Sequence, residues 1–120
     1  MPEKENIIQQ KTFAFARQII ALYLALKNEK EFVISRQLLR SGTSIGANVE
    51  EAIAAFSKKD FTHKMNIAQK EARESKYWLR LLSETHIAKS NTKELLTEVE
   101  EIIRILTAIV KSSQSNINNS

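Results

Sequence analysis

Residues 38–82 read LLRSGTSIGANVEEAIAAFSKKDFTHKMNIAQKEARESKYWLRLL. Apolar residues recur there at three- and four-residue spacing on both sides of a short break. Leu38, Ile45, Val49, Ala52, Ile53 and Phe56 come before it, and Phe61, Met65, Ala68, Ala72, Leu79 and Leu82 after it. That period predicts two amphipathic helices, each with one stripe against a core. Ser57 is a suitable N-cap for the second, and Asp60 three residues on completes a near capping box that also complements the positive end of the helix dipole. A connection this short forces the two helices to run antiparallel.

The same spacing continues outward. Ile8, Phe15, Ile19, Leu22, Tyr23 and Leu26 line one side of a helix over about residues 5–27, which ends in the polar stretch Lys27-Asn28-Glu29-Lys30. The next helix is expected over 35–56 with Ser35 as N-cap, and the third over 58–85. Asn91 followed by Glu94 marks a fourth start, and Leu95, Leu96, Val99, Ile102, Ile103, Leu106, Ile109 and Val110 carry the helix to about 112. That heptad spacing also suits a coiled coil, but it lasts only about three heptads, so a bundle is favoured. Four closely joined amphipathic helices give an all-α fold, an antiparallel up-down-up-down four-helix bundle. One domain is expected over residues 1–115, with the polar SSQSNINNS of 112–120 as a disordered tail.

Composition agrees. The chain has 120 residues, 42% hydrophobic and 27% charged, with two glycines and one proline, too few turn residues for a β-sandwich. A core of this size is marginal, and self-association is a natural supplement. No cysteine is present, which excludes disulfides, a thiol nucleophile and a zinc–thiolate site. The N-terminal MPEKENIIQQK lacks the apolar core of a signal peptide, and no apolar run approaches the roughly 18 residues of a membrane span. A cytoplasmic protein without a membrane partner is expected.

The formal charge of +4 is uneven: residues 57–86 hold seven Lys or Arg against four acids. Six of the seven, Lys58, Lys59, Lys70, Arg73, Lys76 and Arg80, fall on one arc of the third helix with Tyr77 among them, and only Glu84 intrudes. Such an arc is either a solvated exterior or a strip that follows a phosphate backbone. Ile67, Trp78 and Leu81 project from another side of this helix, so Trp78 either closes the end of the core or anchors a subunit interface. On the second helix Arg40, Ser44, Ala47 and Glu51 align at helical spacing, bordered by Gln37, Asn48 and Ala55. Gly42 and Gly46 interrupt that helix at about 1 kcal/mol each relative to alanine. Small residues beside Arg40, Ser44, Asn48 and Glu51 point to a close hydrogen-bonded helix contact, within or between subunits, with a ligand site as the alternative.

Catalytic inventories fail. His63 and His86 stand far apart, and neither belongs to a Glu-x-x-His or His-x-x-x-His pair. Glu50 and Glu51 point to different sides of their helix, and no Gly-rich loop follows a strand. No catalytic residue, metal site or cofactor is expected.

The pattern Arg-Ser-x-x-Ser-Ile-x-x-Asn at Arg40, Ser41, Ser44, Ile45 and Asn48 is followed by Lys-Asp-Phe at Lys59, Asp60 and Phe61. Ala-x-Lys-Glu-x-x-Glu then follows at Ala68, Lys70, Glu71 and Glu74. Together they resemble the four-helix-bundle family of the 23S rRNA intervening-sequence protein, which includes the accessory variability protein of diversity-generating retroelements. The resemblance spans just over a third of the chain, and the flanking helices fit in length. It implies a bundle assembling as a homopentameric ring, a surface that meets nucleic acid, and, for retroelement members, a reverse transcriptase as partner. The expected function is thus a non-enzymatic, homo-oligomeric bundle that binds RNA or DNA through the basic helix face. The alternative is a protein-interaction scaffold or adaptor, such as a reverse-transcriptase accessory protein.

Overall fold

A computed structural model describes residues 3–119. Four helices, α1 Glu3–Asn28, α2 Val33–Ile53, α3 Lys58–Thr85 and α4 Lys93–Asn118, form an antiparallel bundle of 51 × 22 × 22 Å. Each helix packs on its two neighbours, and the diagonal pairs α1/α3 and α2/α4 lie across the core from one another.

The stop of α1 and the start of α2 are made by neighbouring residues. Lys30 takes the left-handed conformation (φ 64°) and donates to the Lys27 carbonyl at 3.0 Å, while the Glu31 N–H reaches back to Leu26 at 2.9 Å. These two bonds satisfy terminal carbonyls in the pattern of a Schellman motif. The Glu31 carboxylate then accepts from the N–H groups of Val33 (3.1 Å), Ile34 (3.0 Å) and Ser35 (2.6 Å). Glu31 therefore performs the capping expected of Ser35, which lies buried inside α2 with its hydroxyl on the Glu31 carbonyl. At the same end of the bundle, Glu29 accepts from the Lys89 N–H and the Ser90 hydroxyl, which fastens the α1–α2 turn to the α3–α4 connection. These donors lower the Glu29 pKa, the Ser90 hydroxyl most.

Two boundaries differ from the sequence reading. α2 stops at Ile53 rather than 56, because Ser57 caps α3 by accepting from the Asp60 N–H at 3.1 Å and the chain must turn before it. Phe56, expected in the α2 apolar stripe, stands in that turn fully exposed. α4 continues to Asn118 where a tail was expected from 112. Ser113 remains on its buried side and hydrogen-bonds the Thr62 hydroxyl of α3, a contact that hydropathy does not register.

The core is continuous from Ile8 to Leu26 on α1, Leu38 to Ala52 on α2, Met65 to Leu82 on α3 and Leu95 to Ile109 on α4. Phe61, expected in the α3 core stripe, packs half-buried at its margin. Thr62 and Ser75 take core-facing positions instead, and both are bonded, Ser75 to the buried Ser41 across the α2–α3 seam at 2.9 Å. Among the described residues no buried side-chain polar atom lacks a partner. Leaving one unpaired would cost about 1–3 kcal/mol.

The two glycines of α2 face α1. A Cβ built on Gly42 would stand 2.9 Å from both γ carbons of Ile19, whose β-branched side chain is buried and stiff at χ1. A Cβ on Gly46 would stand 3.4 Å from the Thr12 carbonyl oxygen and hydroxyl, close to ordinary contact. Gly42→Ala is therefore expected to lower unfolding free energy by about 1–3 kcal/mol through overpacking. Gly46→Ala is expected to raise it by up to about 1 kcal/mol through helix propensity. Urea denaturation of the two variants checks the opposite signs, and equal losses would refute the distinction.

Candidate nucleic-acid interface and interaction surfaces

The α3 helix displays its bases on the side away from the core. Lys58, Lys59, Lys70, Arg73 and Arg80 are exposed and Lys76 is half-buried. Over the 22 steps from Lys58 to Arg80, a rise of about 1.5 Å per residue makes the strip about 33 Å long. Arg80 pairs with Glu84 one turn away at 3.1 Å, and Arg73 donates to the side-chain oxygen of Gln69 at 3.2 Å. Lys58, Lys59, Lys70, Arg73 and Lys76 form no ion pair with any described acid. Lys58 and Lys59 also occupy the first turn of α3, where the positive end of the helix dipole disfavours cations and Asp60 is the one acid. Tyr77, on the same arc, is exposed and meets the Trp78 ring edge-on, with centroids 5.2 Å apart.

The cations of the α2–α3 seam stand differently. Arg40 donates to Glu71 at 3.0 Å through Nη1 and to Glu74 at 2.6 Å through Nη2. The Trp78 indole N–H donates to the same Glu74 oxygen at 2.9 Å. Lys64 reaches Glu51 at 2.8 Å. Asn48 bonds back along α2 to the carbonyl (2.9 Å) and hydroxyl (3.1 Å) of Ser44. Arg40 and Glu51 thus join α2 to α3 within one chain, Ser44 and Asn48 bond each other, and Trp78 rests half-buried against the core. Hydrogen bonding to Glu74, with Glu71 beside it, raises the Arg40 pKa. The Glu74 carboxyl is held below its ordinary pKa, first by the Trp78 indole and then by Arg40, against the opposing effect of burial.

Among the described residues no group of three or more His, Asp or Glu side chains is placed to hold a metal ion. His63 is exposed, and His86 is the C-cap of α3 in the left-handed conformation (φ 56°). No helix is long and apolar enough to cross a membrane among the described residues. A cleft opens where the α2–α3 turn meets α4, with Ile53, Phe56, Phe61, Ile109 and Ser113 among its lining residues.

One surface escaped the sequence reading. On α1, Phe13, Ile20 and Leu24 lie away from the core, 68%, 46% and 55% exposed. The available signal was charge: from Thr12 to Leu26 the one charged residue is Arg17. A helix apolar on more than one side is one that expects to be covered.

A family model described as the 23S rRNA-intervening sequence protein matches residues 4–108. Among solved structures, the chain is similar to a protein of unknown function from the S23 ribosomal protein family of Bacteroides thetaiotaomicron. The two share 48% sequence identity with a TM-score of 0.84, over 90% of this chain and 98% of that one. No curated protein matches the chain.

Because the folded-state pKa of Glu74 is depressed, its contribution to stability is present above the unfolded value and is lost as pH falls through the folded one. The urea midpoint of the wild type is expected to fall on acidification below about pH 4.5. Glu74→Gln should be less stable at neutral pH and show a shallower acid limb. Parallel pH profiles for the two proteins would show that Glu74 does not contribute.

Proposed function

The chain belongs to the 23S rRNA-intervening sequence protein family, and from that premise we propose a non-enzymatic, homo-oligomeric, cytoplasmic bundle that binds nucleic acid, RNA in the first instance, through the outer face of α3. The observation that carries this reading is the contrast between two sets of cations on one helix pair. Arg40 and Lys64 at the seam are matched to carboxylates, whereas Lys58, Lys59, Lys70, Arg73 and Lys76 are matched to none among the described residues. Cations left unmatched along one strip repel one another, and a phosphate backbone relieves that repulsion while releasing counterions. Tyr77 adds an exposed ring on which an unpaired base can stack. The family's name supports RNA over DNA as the first ligand to try, and the family resemblance suggests five copies per assembly.

Repeating the strip around an oligomer multiplies its phosphate contacts without any increase per chain. Arg40, Ser44, Asn48 and Glu51 serve in this reading to hold α2 and α3 in register, so that the basic strip keeps a fixed geometry.

The test is binding of the purified protein to a fluorescent structured RNA and a matched DNA duplex across a salt series. Affinity is expected to fall steeply with salt. The double variant Arg73→Glu/Lys76→Glu should weaken binding at least about tenfold and lower the log–log salt slope by roughly 1.4–1.8 per chain engaged. Its assembly state should be unchanged. Unaltered affinity would remove the strip from the account. Absence of binding by the wild type at low salt would leave the scaffold reading, in which the strip recruits an acidic protein.

A further inference from the structure

The basic strip of α3 borders a groove whose other wall is α4. Two clefts of about 390 and 630 Å³ lie along the outer junction of the two helices and share Val110 and Gln114. Both volumes fall within the range of about 300–1,000 Å³ that small-ligand sites occupy. Half-buried Asn66 and Gln69 line them from α3 and half-buried Thr107 from α4. Exposed Lys59 and His63 edge the groove on the α3 side, and exposed Lys111 and Gln114 on the α4 side. No Asp or Glu lines either cleft. Lys111, like Lys59, forms no ion pair with any described acid. On this side of α4 the first acid is Glu100, two turns before Thr107 and outside both linings.

The amides of the groove bond mainly to one another. The Asn66 side-chain oxygen accepts from Gln69 at 3.2 Å, and the Gln69 oxygen accepts from Arg73 and from Thr107, each at 3.2 Å. The Gln114 amide nitrogen donates to Asn118 at 3.4 Å. These bonds leave the Asn66 amide nitrogen on one wall and the Gln114 carbonyl oxygen on the other without a partner among the described side chains.

We propose that the α3–α4 groove is a site for single-stranded RNA: Lys59, Arg73 and Lys111 hold phosphates along its two rims, and Asn66 and Gln114 bond the edges of unpaired bases between them. This rests on the nucleic-acid-binding reading above and specifies its ligand. Shape decides between a single strand and a duplex. Packed helix axes stand about 8–10 Å apart, so the depression between them is narrow and concave. A duplex is convex, and A-form RNA keeps its base edges in a deep major groove that side chains cannot read. It would meet the rims through phosphates alone and leave the amides unused. An unpaired strand presents its base edges to the amides while its backbone reaches the cations. From Lys59 to Arg73 the groove runs 14 steps, about 21 Å, or about six nucleotides at the roughly 3.4 Å rise of a stacked strand. One turn past Arg73, exposed Tyr77 offers the end of that strand a ring on which to stack.

The experiment compares binding of the full chain to a fluorescent unstructured RNA and to a duplex RNA of equal phosphate count. The unstructured RNA should bind at least about tenfold tighter. Lys111→Glu should weaken its binding at least about fivefold and lower the log–log salt slope by about 0.7 or more. Arg36→Glu makes the same change of net charge at an exposed position on α2, and should leave affinity within about twofold. Gln114→Ala should weaken the unstructured RNA about three- to tenfold with the salt slope and duplex binding unchanged. Asn66→Ala repeats that arm from the α3 wall, and circular dichroism establishes that each variant keeps its helix content. Equal or tighter binding of the duplex would overturn the single-strand site. So would full affinity in Lys111→Glu beside a loss in Arg73→Glu/Lys76→Glu, which leaves the α3 strip alone as the binding surface. Binding of neither RNA at low salt would overturn the nucleic-acid reading itself.

Discussion

Gly42 has room for a hydrogen and nothing more, and the placement of α1 depends on that. The Ile19 side chain occupies the space where a methyl group would stand, 2.9 Å from the missing Cβ. One turn later Gly46 lies against the Thr12 backbone and hydroxyl, so α1 and α2 approach at two successive levels. Glycine in a helix interior costs about 1 kcal/mol relative to alanine, and here that cost is offset by the packing of a buried Ile and Thr. The approach fixes the rotation of α1 as well as its distance. With Ile19 turned into Gly42, the Phe13–Ile20–Leu24 side has to face outward. The exposed apolar strip thus follows from the closest contact in the bundle.

The same segment of α2 also determines how α3 sits. Ser41, beside Gly42, hydrogen-bonds Ser75 in the core, and Arg40, one residue earlier, spans Glu71 and Glu74 at the surface. Three consecutive residues therefore address a neighbour above, a core partner and a solvent-edge cluster. Exposed ion pairs contribute little singly, commonly about 0–1 kcal/mol. A guanidinium shared between two carboxylates, one of which also holds the Trp78 indole, has more geometric consequence than energy: it orients Trp78 and fixes the helix register. On the far side of α3 the one acid pairing is Arg80 with Glu84, and Lys58, Lys59, Lys70, Arg73 and Lys76 remain available among the described residues.

The fold was legible because apolar spacing at three and four residues holds through all four segments. The boundaries were less so, each for a local reason. Ser35 has the right residue type for an N-cap, but the Glu31 carboxylate reaches three N–H groups and leaves Ser35 free to turn inward. SSQSNINNS reads as tail by composition, yet Ser113 continues the inward stripe of α4 because Thr62 offers it a hydroxyl partner. Hydropathy cannot report a pairing between two polar residues 51 positions apart in sequence. For the candidate site, the basic arc was legible from helical phase alone. That five of its six cations lack an acid partner among the described residues was not, because pairing depends on which carboxylates the neighbouring helix presents. The α1 outer face went unread for another reason: one stripe, from Ile8 to Leu26, was assigned to the helix, and Phe13, Ile20 and Leu24, which form a second, were left outside it.

Those two stripes bear on why a bundle of this size exists. A four-helix domain of 120 residues buries a smaller share of its surface than a larger one does. α1 adds apolar surface that its own core cannot absorb, and α3 adds the half-buried Ile67 and Leu81 beyond its core stripe. In an isolated chain both are liabilities. The apolar and cationic surplus of the sequence are thus sorted onto different sides of the same helix. In the proposed function, that sorting keeps the cationic strip clear of the apolar one, so that it can meet a phosphate backbone.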